Sequence, residues 1–253
     1  MGAVTVITSG KGGAGKSTTA ANLGLVLAAA GRRGLLLDCD AGLGCQDMLL
    51  GLSQRRVFAL SDVVAGAAAP KKAIYACPQA PRLFVMPAPL HEEDLISPDI
   101  MRQLVPALSR YYDHVLIDSP AGLGEGFQSA VAAADRALVV VTPDCVCVSA
   151  ARRTHDALLC SGVREQRLVI NRFSAEQFAR GTAVPDLDAV IDEAGVQLIA
   201  VIPEARTLAA AAAKELPPPD CPAALAFGRL AMRLEGRTVE LPPLQKFGSQ
   251  NGL

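Results

Sequence analysis

The chain has no tryptophan, and aromatic residues fill only 4% of its 253 positions, which excludes a core of stacked rings. Hydrophobic residues make up 51%, so that core has to be built from Val, Leu, Ile and Ala in regular layers, the composition of a parallel sheet under helices. No Cys-x-x-Cys pair occurs among the seven cysteines, and an odd number argues against a disulfide framework. Cys145-x-Cys147 has the wrong spacing for a structural zinc knuckle. Cys39, Cys45, Cys77, Cys145, Cys147, Cys160 and Cys221 therefore read as small buried hydrophobes. No stretch approaches the roughly 18–20 apolar residues of a membrane span, and the first strand starts at residue 3, which leaves no room for a signal peptide. The expected location is the cytoplasm, with a peripheral place at the inner face of the membrane as the alternative. A basic run is missing too: 24 Lys and Arg against 25 Asp and Glu give a net charge of −1, so nucleic acid is not an expected partner.

What is there is an alternation of short apolar runs and helical stretches. Strands are predicted at 3–8, 34–40, 83–88, 114–120, 137–143, 167–172 and 198–203, each a continuous apolar run of the kind buried on both faces. Crossover helices are predicted at 16–30, 98–112, 125–134, 148–161 and 186–194, and a last one at 223–235 after the linker-like LPPPDCP at 216–222. This order implies one α/β domain with a mostly parallel, twisted sheet and helices on both faces. The domain is expected over 1–236, with 237–253 as a flexible tail.

The chemistry is concentrated where the first strand runs into SGKGGAGKST. Gly10-x-x-x-x-Gly15-Lys16-Ser17 is a P-loop, expected to point backbone N–H groups inward at a triphosphate, with the N-terminus of the following helix adding positive potential. Lys16 would bridge the β- and γ-phosphates and the Ser17 hydroxyl would ligate Mg²⁺. A second carboxylate for the metal is expected at the end of a neighbouring strand, and HVLIDSP offers Asp118. LLLDCD offers Asp38 and Asp40, two apart and so on one face of a strand, the first toward the metal and the second a candidate to orient the attacking water. Lys11, a second lysine in the same loop, is not explained by the P-loop alone.

SGKGGAGKST, LLLDCDAGLG and VLIDSPAGLG together resemble the deviant Walker A ATPases of the MinD/ParA class, part of the SIMIBI P-loop proteins, and DCDAGLGCQDMLLGL is more similar to the MinD branch than to ParA. The resemblance runs from about residue 3 to 235. It implies ATP and Mg²⁺ as cofactors, and contacts from Gly10, Lys11, Gly12, Gly13, Ala14, Gly15, Lys16, Ser17 and Thr18 to the phosphates. Ser17, Asp38 and Asp118 would lie at the metal and Asp40 at the water. LVINRF and VIPEA are similar to the segments that line adenine in this class, which assigns Asn171, Arg172, Pro203 and Glu204 to the base. It also implies that Lys11 reaches across an ATP-bound homodimer to the partner's phosphates, as an arginine finger does, making Lys11, Lys16 and Asp40 the catalytic set.

The function implied is an ATP-dependent dimerising switch in septum placement, with slow hydrolysis that a protein partner accelerates. A flagellar-placement protein of the FlhG type and a ParA-type DNA-segregation ATPase are the alternatives. Arg152, Arg153, Arg164 and Arg167 are the one basic grouping that would serve the latter. An iron–sulfur role lacks ligands, since no cysteine lies between Cys77 and Cys145, around Asp118. The branch usually ends in an amphipathic membrane helix. Here Pro242 and Pro243 stop a helix, and no apolar face can be drawn through residues 244–253, so membrane association is not expected from the tail.

Overall fold

Continuous apolar runs fold here as strands buried on both faces, and all seven predicted ones are present. The structure is a computed structural model and describes residues 1–41, 44–91, 94–176, 186–205 and 220–242. Parts of the second motif, the run 177–185, the segment 206–219 and the tail residues 243–253 lie outside them. The strands are β1 (Ala3–Thr8), β2 (Gly34–Asp38), β3 (Tyr75–Cys77), β4 (Ala80–Met86), β5 (His114–Asp118), β6 (Arg136–Val141), β7 (Glu165–Phe173) and β8 (Leu198–Pro203). They form one sheet in the order β3-β4-β2-β5-β1-β6-β7-β8, parallel throughout except for β3 against β4. β3 was not expected: it is three residues long and joins β4 through a tight turn, too short to show a pattern.

The helices are α1 (Lys16–Ala29), α2 (Gln46–Leu49), α3 (Leu60–Val64), α4 (Pro98–Ser109), α5 (Glu125–Val131), α6 (Cys145–Cys160), α7 (Leu187–Ala194) and α8 (Pro222–Leu234). α1 lies on β2, β4 and β5 and against α8, while α4 and α5 pack on each other and on β1. Gly24 makes the α1 contact possible, since a Cβ there would stand 2.9 Å from Leu83 Cδ1. α6 begins three residues earlier than predicted, because the Asp144 side chain accepts from the Cys147 N–H at 2.9 Å and caps the first turn.

α8 ends at Leu234, and the chain just beyond it is held at first. Arg233 donates through Nε and Nη2 to the Val239 carbonyl at 2.9 and 2.6 Å. At the opposite end of the sheet from the P-loop, Glu235 pairs with Arg32 and stands 3.6 Å from His114, tying α8 to the start of β5.

β1 lies between β5 and β6, where the chain's direction of winding across the sheet reverses. Crevices at such a point, outside the carboxyl ends of the strands, bind ligands. β1, β2, β5, β7 and β8 all deliver their last residues there.

Candidate active site

β1 runs straight into the glycine loop, and two of the glycines are required by neighbours within the chain. Gly15 is the N-cap of α1 with φ +93, a left-handed conformation that side chains avoid, and a Cβ on it would lie 2.2 Å from Asn171 Nδ2. Gly10 passes so close to α6 that a Cβ would lie 2.4 Å from the Ala150 carbonyl oxygen. We expect Gly10→Ala to destabilise the nucleotide-free protein by about 1–3 kcal/mol through overpacking, read as a fall in the thermal midpoint. Gly12→Ala, whose new methyl would meet only Ala121 Cβ at 3.9 Å, should leave that midpoint unchanged.

Lys16, the first residue of α1, is buried, whereas Lys11 stands 45% exposed with Nζ 3.3 Å from Asp144 Oδ1. The two lysines of the loop thus face different surroundings. Asp144 also accepts from Thr142 Oγ1 at 2.6 Å. Burial pushes its carboxyl up, but the bonds from Thr142 and Cys147 and the Lys11 ammonium outweigh this and hold it below the ordinary carboxylate range.

Asp38 and Asp118 end adjacent strands in register, and both are fully buried. Burial pushes both carboxyls up, and the Asp118 charge raises Asp38 further; the Gln46 amide, the Ser17 hydroxyl and the Lys16 charge pull Asp118 part of the way back. Asp38 Oδ1 accepts from the Asp40 N–H at 3.0 Å and Oδ2 from the Gln46 N–H at 3.1 Å. Those bonds turn the chain out of β2 at residue 38, so Asp40 lies past the strand and not on a shared strand face. Asp40 is partly exposed at the mouth of the site.

Two carboxylates crowded out of water call for a cation. Asp118 Oδ1, Gln46 Oε1 and Thr8 Oγ1 are buried and have no hydrogen-bond partner among the described residues. An all-oxygen set of this kind, with few protein ligands, suits Mg²⁺, which keeps several waters and takes phosphate oxygens for the rest. The residues present fit the metal. Cys39 and Cys45, which border the same loop, have thiols pushed up first by burial and then by Asp38, so neither offers a thiolate.

Beyond the loop, Asn171 is buried near the end of β7, and its Nδ2 donates to the Ala14 carbonyl at 2.9 Å. Arg172 has φ +53, the only left-handed residue other than glycine among those described, at a break in the β7–β8 pairing. This irregularity sets Asn171 against the P-loop while Arg172 points to solvent. Pro203 pairs with Phe173, and the Glu204 N–H donates to the Phe173 carbonyl at 2.9 Å, so the four residues read as base contacts stand together at the ends of β7 and β8.

A family model for the CobQ/CobB/MinD/ParA nucleotide-binding domain matches residues 5–218. The chain belongs to that family. Within it the protein is a MinD-type ATPase. It is 36% identical to the septum site-determining protein MinD of Thermotoga maritima over 247 residues, covering 95% of this chain and 91% of that one. Its fold matches MinD in the MinC:MinD cell division complex of Aquifex aeolicus with a TM-score of 0.87 at 34% identity, over 95% and 98% of the two chains. MinD of Pyrococcus horikoshii, solved with Mg-ADP, matches with a TM-score of 0.82 at 30% identity, over 93% and 96%.

In this MinD-type site, sequence reasoning singles out Lys11, Lys16, Ser17, Asp38, Asp40 and Asp118, and all six lie at the carboxyl edge of the sheet. It misses Gln46 and Asp144. Asp144 carries a signal, a helix-capping aspartate just after a strand. Gln46 carries none.

Proposed function

We propose that the protein is an ATP-dependent dimerising switch in septum placement, binding ATP with Mg²⁺ and hydrolysing it slowly until a protein partner accelerates the step. The position of each group supports the role proposed for it. Backbone N–H groups of residues 10–18 and the buried Lys16 hold the phosphates, and Asn171, Arg172, Pro203 and Glu204 border the base. Ser17, Asp38 and Asp118 would hold Mg²⁺, which would supply positive charge against that developing on the transferred phosphoryl group. Asp40, freed from the strand and at the mouth, orients the attacking water. Lys11 enters the site of a second copy.

The observation that supports this reading best is the separation of the two lysines. Lys16 lies inside the cavity, and Lys11 is held outside it by an exposed ion pair with Asp144, worth roughly 0–1 kcal/mol. A contact that weak can be exchanged for the partner's phosphates when ATP closes a dimer. The protein works in the cytoplasm. No described helix is long and apolar enough to cross a membrane.

Sedimentation of the Asp40→Ala protein with ATP and Mg²⁺ tests the proposal. The expected result is a stable dimer that ADP does not support, because removing the water-orienting carboxylate traps the bound triphosphate. A monomer under both conditions would overturn it. Anionic liposomes in the same run read the location: co-pelleting of the dimer puts the switch at the membrane surface, and a dimer left in the supernatant keeps it in solution.

A further inference from the structure

We propose that Gln46 is a positioning residue of the metal site, aligning Asp38, Asp118 and the first turn of α1 and offering its own amide oxygen to a water on the Mg²⁺. This rests on the reading of Asp38, Asp118 and Ser17 as the metal's residues. Gln46 is fully buried, and it contacts all three segments at once. Its backbone N–H donates to Asp38 Oδ2 at 3.1 Å. Its Nε2 donates to Asp118 Oδ2 at 2.7 Å and to the Ser17 carbonyl at 3.0 Å. β2, β5 and α1 are thereby brought into register at the point where the metal's charge is needed.

The orientation of the amide is dictated by chemistry. Both groups around Nε2 are acceptors, so the nitrogen has to face them and the oxygen has to face elsewhere. Oε1 is bonded to the same carbon and so lies in the same buried pocket, yet it has no donor among the described residues. Asp118 Oδ1 is in the same condition. Leaving such an acceptor buried and unpaired costs about 1–3 kcal/mol. Water molecules held by a cation are donors only toward their surroundings, and two neighbouring acceptors of this kind are what a hydrated Mg²⁺ would satisfy.

The position of Gln46 is itself built. The next residue, Asp47, pairs through Oδ2 with Arg56 Nη1 at 3.3 Å, and Arg56 Nη2 donates to the Ala88 carbonyl at 2.6 Å, which ties α2 to the segment after β4. Both partners of that pair are largely buried. α2 is therefore fastened by contacts of its own, and the glutamine reaches inward from a fixed base.

The test is a titration of fluorescent ADP binding with and without Mg²⁺, which involves no turnover. Gln46→Met keeps the length of the side chain and the backbone bond to Asp38 while removing the amide, and Gln46→Leu repeats the removal should the first variant not fold. The wild-type protein should bind ADP more tightly with Mg²⁺ than in EDTA. In the variants the affinity in EDTA should stay within about threefold, and the Mg²⁺ concentration for half-effect should rise on the order of 10-fold or more, as for other groups that orient metal ligands. A half-effect concentration within about twofold of wild type would overturn the role of Gln46. Equal losses with and without Mg²⁺ would overturn it too, by showing a packing role only. An absence of any Mg²⁺ effect in the wild type would instead remove the metal reading on which the inference stands.

Discussion

Replacing Lys16 by alanine is expected to lower ATP turnover on the order of 10³-fold and nucleotide affinity by about 10²-fold. Lys16 opens α1, is only 6% exposed, and exerts its charge on Asp118 from a buried position. In a water-poor site a fixed cation aimed at the phosphates acts without solvent reorganisation, and alanine leaves their charge faced only by backbone dipoles and the metal. Asp118 would lose the one positive charge that opposes its burial as well, so the nucleotide-free protein should also melt at a lower temperature. Calorimetric titration with ADP and a phosphate-release assay measure the two losses. Turnover within tenfold of wild type would show that Lys16 does not face the transferred phosphoryl group.

Lys11→Ala should produce a different pattern. Hydrolysis should fall by on the order of 10³ or more, as when an arginine finger is removed, while ATP affinity of the monomer should change by less than about threefold. The difference arises from position: Lys11 Nζ stands at the half-exposed aspartate that caps α6, 133 residues away in sequence, and not among the phosphate-binding groups of its own loop. Dimerisation, read by sedimentation with ATP in the Asp40→Ala background, should be lost. If binding and dimerisation fall equally, Lys11 serves its own site and the trans role is wrong. Asp144→Asn adds a control, since it takes the charge from the resting pair while its amide oxygen can still cap α6. It should spare monomer binding of ATP.

These two lysines are visible in the sequence because a phosphate loop is local. Gly10, Gly15, Lys16 and Ser17 are close in the chain, and the apolar runs on either side state that the loop joins a buried strand to a helix. Five buried strand ends, with Thr8, Asp38, Asp118, Asn171 and Pro203 upon them, can likewise be read from runs of four to six apolar residues. The strand ends are less well placed by such reading. β2 stops at Asp38 and not at residue 40, because the Asp38 carboxylate takes up the next N–H groups and bends the chain away, a side-chain effect that hydrophobic periodicity does not contain.

What the sequence determined by itself was the class of fold, the phosphate loop and the identity of the acidic residues, since each depends on residues within a few positions of one another. Tertiary structure decided which groups meet. Asp38 and Asp118 become one buried carboxylate pair only because β2 and β5 are neighbours in register. Lys11 finds Asp144, and Gln46 finds Asp118 across 72 residues, because chain segments with no common pattern are folded to the same edge of the sheet. A buried glutamine makes this plainest: its amide has no periodicity to announce it, and its role exists only where a carboxylate, a carbonyl and a helix end converge.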